Sequence, residues 1–239
     1  MPRVHVLTNK THTEPQRLVG VIAVVVDVIF ATTAIALMLD RGASEIIPTL
    51  TPEVARDRAR ELQRGAYLLV GEQHGEVIPG FLEPWPTELC RIDLTRKTVL
   101  YSTTNGTVAL NYAASAGLVL AAAPVNAAAV VEYIASHHDE RNVVLICAGS
   151  GTAFSLEDFY GAGRLVSLLA TSTRHFHLSD SANAARLLHE NVESASCIED
   201  TYAGRMMAAQ DRREDLKFCG QRDVLNTVPV FSGGRIRRA

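Results

Sequence analysis

The sequence contains few aromatic residues and only four cysteines. Phe, Trp and Tyr make up 6% of the 239 residues, so the core must rely on small aliphatic side chains packed between helices and sheet. Cys90, Cys147, Cys197 and Cys219 are widely spaced, and no CxxC pair occurs. Disulfide frameworks and zinc sites need closer, patterned spacing. We therefore expect reduced, mostly buried thiols in a cytoplasmic protein.

A basic surface is also lacking. The formal net charge is -3, which argues against nucleic acid as a partner. The chain has no Pro/Ser-rich linker, no low-complexity tract and no repeat of fixed period. Its length suits one large α/β domain or two small ones. We predict a single domain over residues 1–239, with two subdomains that meet near residues 115–142 as the alternative.

One run, residues 18–39, is long and apolar enough to suggest a membrane span. Asp27 lies near its middle, where a carboxylate in hydrocarbon is costly. The first half is β-branched, as in a buried strand, and the second half begins with Ala-Thr-Thr, a helix entry. The run also lacks the basic leader of a secretory signal. We predict a buried strand, a turn and a buried helix, and no membrane partner.

Short β-branched runs alternate with helical patterns along the chain. Strands are predicted at residues 4–8, 21–27, 45–48, 67–70, 98–102, 118–122, 142–147 and 227–231. The predicted helices include residues 32–41, 51–64, 108–115, 125–137, 181–191 and 198–210, and one that begins at Ser155. Residues 137–140 predict a solvated helix end, and the residues after Gly234 a frayed basic tail. This alternation predicts a three-layer α/β fold, a mainly parallel sheet with helices on both faces.

Four predicted strand ends carry small or polar residues, in the segments DVIFATT, GE, STTNGT and CAGSGT. In parallel α/β sheets the ligand crevice lies beyond the carboxyl ends of the strands, so we expect these segments to meet at one edge. Small residues admit backbone N–H groups to an oxyanion, hydroxyls add donors, and the following helix presents its positive end. Any one turn alone is more typical of a helix cap, and it is the occurrence of three such turns with two carboxylates that favours a site. The predicted substrate-binding residues are Thr32, Thr33, Thr103, Thr104, Gly106, Thr107, Gly149, Ser150 and Gly151.

Asp27 and Glu72 are the strongest acidic candidates. Each directly follows an apolar strand, where burial of a carboxylate is costly unless the group has a binding partner. Such oxygen ligands suit Mg²⁺, which binds one or two carboxylates and shares its other positions with water and substrate phosphate. The alternative is a carboxylate that caps backbone amides or pairs with an arginine. We predict Asp27, Glu72 and Asn105 as catalytic residues, with Asp27 and Glu72 as ligands of the metal.

Several familiar motifs are missing. Nothing matches a P-loop or a GxSxG elbow. The segment Gly149-Ser150-Gly151 lacks the third glycine and the acidic residue of the dinucleotide fingerprint. A nucleotide-dependent oxidoreductase is therefore the least favoured interpretation.

Six sequence blocks occur in order between about residue 20 and residue 231: VVVDVIFATTAI, LLVGE, PGF, STTNGT, AGSGTAFSLEDFYGAG and FCGQRDVLNTVPV. Together they resemble the 2-phosphosulfolactate phosphatase family. TTNGT alone is a weak motif, whereas the ordered set is specific. The resemblance implies a Mg²⁺-dependent phosphatase that removes phosphate from a small sulfonated hydroxy acid in a coenzyme M pathway. It also implies Glu157, Asp158 and Asp223 as further site acids, Asp223 being equally interpretable as a turn residue.

Two segments depart from the family pattern. The first motif usually reads D-V-L-R-A-T-T, and here Phe30 stands in place of the arginine. An arginine would bind a phosphate or sulfonate through two hydrogen bonds, which a phenyl ring cannot do. The loop after Phe81 reads LEPWP where the family has D-L-G-N-S-P. The chain therefore resembles a divergent member with a less acidic or differently shaped substrate. The alternative is a non-catalytic protein that binds a small anion. The sequence is also compatible with a homodimer.

Overall fold

The computed structural model describes residues 1–137 and 140–239. The strands are β1 (Arg3–Leu7), β2 (Ile22–Val26), β3 (Glu45–Thr49), β4 (Tyr67–Gln73), β5 (Glu76–Val77), β6 (Thr98–Ser102), β7 (Leu118–Ala122), β8 (Val143–Cys147), β9 (His177–Leu178), β10 (Pro229–Ser232) and β11 (Arg235–Arg238). The helices are α1 (Pro15–Leu18), α2 (Ala31–Asp40), α3 (Pro52–Ala59), α4 (Pro86–Leu89), α5 (Gly106–Tyr112), α6 (Ala127–His137), α7 (Leu156–Thr171), α8 (Asp180–Asn191), α9 (Ser194–Ile198), α10 (Tyr202–Ala209) and α11 (Arg213–Cys219). Single 3-10 turns lie at Lys10–His12, Ala113–Ser115 and Pro124–Asn126. The predicted solvated helix end at residues 137–140 includes His138 and Asp139, which lie outside the described residues.

The described strands form one sheet in the order β5-β4-β6-β3-β11-β10-β7-β2-β8-β1-β9. A five-strand group, from β7 to β9 in this order, is parallel throughout. A three-strand group of β4, β6 and β3 is parallel as well. The predicted α/β fold with a mainly parallel sheet is therefore confirmed.

The alternation of side chains along β2 explains why helices cover both faces of the sheet. Ile22, Val24 and Val26 belong to one buried cluster, which includes residues of α6, α7 and α8. Ala23 and Val25 belong to a second cluster, with residues of α2 and α5. Successive side chains of a strand point to opposite faces, so a strand that is apolar throughout needs a helix layer on each side.

The C-terminal residues lie in the middle of the sheet, so the prediction of a frayed tail was wrong. β10 pairs with β7, and β11 pairs with β10 and β3, all in antiparallel fashion. Ile236 is fully buried opposite Ile46, while Arg235 and Arg237 form ion pairs with Glu45. The alternating sequence Arg-Ile-Arg has the period of a strand with one apolar face. Three antiparallel pairings separate β3 from β7, so the two strand groups run in opposite directions.

The long apolar run is a strand and a helix, as predicted. β2 ends at Val26, α2 begins at Ala31, and Asp27 lies in the turn between them. In the part of the chain that the structure describes, every helix is too short or too polar to cross a bilayer.

The predicted helix at residues 198–210 covers the last residue of α9, a break, and then α10. Thr201 accepts a hydrogen bond from the Gly204 N–H and so caps the start of α10, three residues after α9 ends at Ile198. A hydroxyl at this position satisfies an N–H that the first helical turn leaves without a partner.

The core consists mainly of small aliphatic side chains, as the low aromatic content predicts. Val, Ala, Leu and Ile dominate the buried positions. Cys147, Cys197 and Cys219 are buried, Cys90 is exposed, and all are free thiols. The prediction of mostly buried, unpaired cysteines is confirmed.

Candidate active site

The turns that follow β1, β2, β6 and β8 meet at one place, although the two strand groups run in opposite directions. Asn105, after β6, accepts a hydrogen bond through Oδ1 from Gly151 N, after β8, at 3.0 Å. The same oxygen accepts from Lys10 Nζ, after β1, at 2.8 Å. The site is therefore built between the two strand groups rather than along one edge of a single parallel sheet.

The turn after β2 is held by its own threonines. The Asp27 N–H donates to Thr32 Oγ1 at 2.9 Å, and the Thr32 hydroxyl donates back to the Asp27 carbonyl at 2.8 Å. The Thr33 hydroxyl donates to the Val28 carbonyl at 2.6 Å. Both threonines are fully buried. Their hydroxyls fix the turn that carries Asp27, and their predicted contact with substrate stays a prediction.

The Asp27 carboxyl group lies in a negative environment. Its side chain is buried, at 5% exposure. Burial raises its pKa to about 7, with the Glu72 carboxylate as the next cause and Glu157 as a smaller one. A hydrogen bond from the backbone of Ala31 and the Lys10 ammonium act in the opposite direction. The site therefore has more buried negative charge than its own cation balances.

Glu72, near the end of β4, is fixed by three hydrogen bonds. Its Oε1 accepts from Thr104 N at 2.7 Å, and its Oε2 accepts from Gly75 N at 2.8 Å and from the Thr104 hydroxyl at 3.2 Å. Thr104 Oγ1 in turn accepts from His74 N at 2.7 Å. Glu72 and the TTNGT turn, which were expected to lie at one edge of the sheet, are thus in direct contact.

Within the TTNGT turn, Thr103 and Thr107 bind each other. The Thr103 N–H donates to Thr107 Oγ1 at 3.1 Å, and the Thr107 N–H donates to Thr103 Oγ1 at 3.0 Å. Gly106 lies directly against the turn after β2, and a β-carbon there would be 2.5 Å from Asp27 Oδ2 and 2.2 Å from Ala31 Cβ. Only glycine admits this approach.

Lys10 is a site residue that the sequence analysis missed. It is buried, at 6% exposure, and its ammonium donates to Asn105 Oδ1, to Ala148 O at 2.8 Å and to Gly151 O at 2.9 Å. Burial lowers its pKa, against the raising effect of Asp27 and Asp158. The polar segment Thr8-Asn9-Lys10 after the first predicted strand was the available signal. Through all three of its N–H donors, Lys10 thus joins its own turn after β1 to the turns after β6 and β8.

Asp158 connects the turns after β2 and β8. Its Oδ1 accepts from Val28 N at 2.9 Å, and its Oδ2 accepts from Gly149 N at 3.0 Å. Gly149 has a φ of +68°, and a β-carbon there would be 2.1 Å from Asn9 Nδ2. Burial raises the pKa of Asp158 well above its ordinary value, and Asp27 adds to this effect. Asp158 therefore holds the two turns together, and it does not line the cavity described below.

Glu157 and Asp223 differ in their distance from these turns. Glu157 is buried in the first turn of α7, close enough to Asp27 to raise its pKa. Asp223 accepts from Ala128 N at 2.7 Å and forms an ion pair with Arg164. Asp223 therefore holds α6 to α7, and the structure does not bring it to the other candidate residues.

A cavity of about 290 Å³ opens beside these turns. It is lined by Phe30, Glu72, His74, Gly75, Thr104, Asn105, Ser150, Gly151, Tyr202, Ala203 and Met206. The Oδ1 atom of Asn105 accepts two hydrogen bonds from protein, so its NH2 group is the part that can donate to a ligand. His74 and the α10 residues were not predicted, because their place at the cavity depends on contacts distant in sequence.

Buried carboxylates and polar turns around one cavity, on an α/β fold, are characteristic of enzymes that act on phosphate esters. A family model for 2-phosphosulpholactate phosphatase matches residues 7–234. A probable 2-phosphosulfolactate phosphatase of Clostridium beijerinckii is 31% identical over 236 residues, 98% of each chain. Proteins with the same name are 35% identical in Symbiobacterium thermophilum, over 92% of this chain and 95% of that protein, and 34% identical in Thermotoga maritima, over 89% of each.

This chain belongs to the 2-phosphosulfolactate phosphatase family, a family of phosphoric monoester hydrolases. The resemblance of the sequence blocks is therefore confirmed.

Proposed function

We propose that this protein is a Mg²⁺-dependent phosphatase that hydrolyses a small phosphorylated hydroxy acid, 2-phosphosulfolactate or a related phosphate monoester. The observation that carries the proposal is the pair of buried carboxylates Asp27 and Glu72, one from each strand group and close enough for Glu72 to raise the pKa of Asp27. Glu72 lines a cavity that also has hydrogen-bond donors. The names of the relatives support the phosphoryl chemistry.

The donor chemistry of the site fits magnesium. Within residues 1–137 and 140–239, no three His, Cys, Asp or Glu side chains are grouped as a metal site. Mg²⁺ needs fewer than three protein side chains, because it is commonly held by one or two carboxylates, with water and substrate phosphate as its other ligands. Asp27 and Glu72 would hold the ion, and the raised pKa of Asp27 marks negative charge that a cation would relieve. When bound, the ion would neutralise phosphate charge and activate a water molecule.

The protein groups would orient the phosphoryl oxygens. The Asn105 amide NH2 and the exposed Ser150 hydroxyl both line the cavity and are donors. Lys10 and Asp158 would keep the turns that carry these donors in register. Fixed donors around the developing charge are the main means by which proteins accelerate phosphoryl transfer.

The test is phosphate release from a panel of monoesters, including 2-phosphosulfolactate and 2-phospholactate, with Mg²⁺ or with chelator. We expect turnover that depends on Mg²⁺ and that Asp27→Asn lowers at least about 100-fold. The matched control is Asp57→Asn, an exposed aspartate of α3 that pairs with Arg60. It should retain wild-type turnover.

Unchanged turnover in Asp27→Asn would remove Asp27 from the mechanism. Thermal stabilisation by phosphate with no turnover of any monoester would instead favour the small-anion-binding alternative. A thermal shift in Mg²⁺ and phosphate, measured alongside the assay, separates these two results.

A further inference from the structure

The cavity beside Glu72 has an apolar wall. We give this name to four of its lining residues: Phe30, and Tyr202, Ala203 and Met206 of α10. Among the described residues that line the cavity, Glu72 is the acid, His74 is the sole side chain of basic type, and there is no lysine or arginine.

This wall is held in place by packing. The Phe30 ring lies 5.6 Å, centroid to centroid, from that of Trp85, which is itself buried. Met206 packs directly over Gly75, where a β-carbon would come within 2.3 Å of Met206 Cε. Gln210 Nε2 donates to the Gly75 carbonyl, at 3.5 Å. The apolar surface is therefore a built part of the site.

Lys10, Arg205 and Arg212 are cations of neighbouring segments, and each is already bound to protein groups; Arg205 of α10 donates to the Asp200 carbonyl. The Lys10 ammonium uses its three donors on Asn105, Ala148 and Gly151. The Arg212 guanidinium lies 5.9 Å from the centroid of the Trp85 ring and forms ion pairs with acidic side chains: Glu83, Glu88 and Asp215. A second anionic group on the substrate would thus find no lysine or arginine among the described residues that line the cavity.

We propose that the part of the substrate beyond the phosphate carries no sulfonate and is largely apolar, and that Phe30 and Tyr202 select it. The inference rests on the proposed phosphatase function and narrows its substrate class to monoesters without a sulfonate. Burial of a carbon skeleton against Phe30 and Met206 is favourable, whereas a desolvated sulfonate without a cation is costly.

The test compares kcat/KM for benzyl phosphate and for 2-phosphosulfolactate, since both release an alcohol. We expect wild-type protein to favour benzyl phosphate by about tenfold or more. Phe30→Arg should raise kcat/KM for 2-phosphosulfolactate and lower it for benzyl phosphate. A merely structural defect would lower both, so the ratio reports selection.

Tyr202→Arg offers a second variant, because Tyr202 lines the cavity yet is 73% exposed, so that we expect an arginine there to fit without a change in packing. It should shift the ratio in the same direction, by less. Leu187→Arg, at an exposed position of α8, is the control and should leave the ratio unchanged. A wild-type preference for 2-phosphosulfolactate, or a ratio that neither arginine variant moves, overturns the inference and leaves the phosphatase function standing. Absence of turnover with every monoester instead overturns the phosphatase function.

Discussion

Gly106 and Asp27 lie in direct contact across the two strand groups, with space for a hydrogen atom but not for a methyl group at Gly106. A β-carbon at this glycine would be 2.5 Å from Asp27 Oδ2. The φ angle of Gly106 is not in the left-handed region, so space alone requires glycine here. The contact sets how closely the TTNGT turn approaches the carboxylate that we propose as a metal ligand.

Gly106→Ala should therefore displace Asp27 and lower activity strongly, while the protein stays folded. We expect kcat to fall by about 100-fold, since a shift of about 1 Å in a reacting group has effects of this size. The free energy of unfolding should fall by about 1–3 kcal/mol, as in other overpacked sites. Phosphate-release kinetics and urea unfolding measure the two effects.

The matched control for this variant is Gly220→Ala. Gly220 has a φ of -81°, and a β-carbon there would have its nearest neighbour at 3.4 Å. Activity should be unchanged. If Gly106→Ala is as active as this control, the close approach of the two turns does not matter for catalysis.

Lys10→Met should destabilise the metal-free protein. It removes the ammonium that joins three turns and the cation that opposes the raised pKa of Asp27. Acceptors that are buried and lose a charged donor cost about 1–3 kcal/mol. Lys217→Met is the comparison, since Lys217 is exposed and pairs with Glu214 within one helix. Its effect should stay below about 1 kcal/mol, and equal losses in the two variants would contradict a special role for Lys10.

The local signals in the sequence were sufficient for most of the fold. Residues 98–102 and 118–122 were predicted as strands with the bounds that β6 and β7 have, because both are short, largely apolar runs between turns. Thr51 and Ser155 cap α3 and α7 through hydrogen bonds to Val54 N and Asp158 N, which depend only on neighbours in the chain.

The rest of the site depends on contacts that no local pattern reveals. The Lys10 ammonium binds groups 95, 138 and 141 residues further along the chain. Thr32 and Thr33 follow a carboxylate as a substrate-binding turn would, yet their hydroxyls bind the backbone of the same turn. The sequence therefore predicted the segments after β2, β4, β6 and β8 but not the turn after β1, and only the fold shows which of their atoms are free to bind a ligand.

Ile236→Ala should show that the C-terminal strand joins the two strand groups. Ile236 is fully buried and is the residue through which β11 pairs with β3. Truncation of a buried isoleucine to alanine costs about 2–5 kcal/mol. Val224→Ala, at a half-exposed position, should cost less than about 1 kcal/mol. Similar urea midpoints for the two variants would show that the hairpin contributes little to the joined sheet.

His189 should make the protein sensitive to acid. Burial, together with the nearby Arg222 and Arg164 guanidinium groups, lowers the pKa of its imidazole from 6.5 to about 4. Between pH 6.5 and pH 4 the unfolded chain then binds one more proton than the folded chain. The free energy of unfolding therefore falls as the pH falls through this window, by at most about 3 kcal/mol, because solvent screens the two arginines in part.

The variant His189→Gln removes this proton from both states. We expect its unfolding free energy, measured by urea unfolding at a series of pH values, to fall less steeply than that of wild type between pH 6.5 and pH 4. Above pH 7 the imidazole is neutral in both states, so the two proteins should there differ by a constant amount. Curves that stay parallel through the acid window as well would mean that His189 does not carry the acid sensitivity.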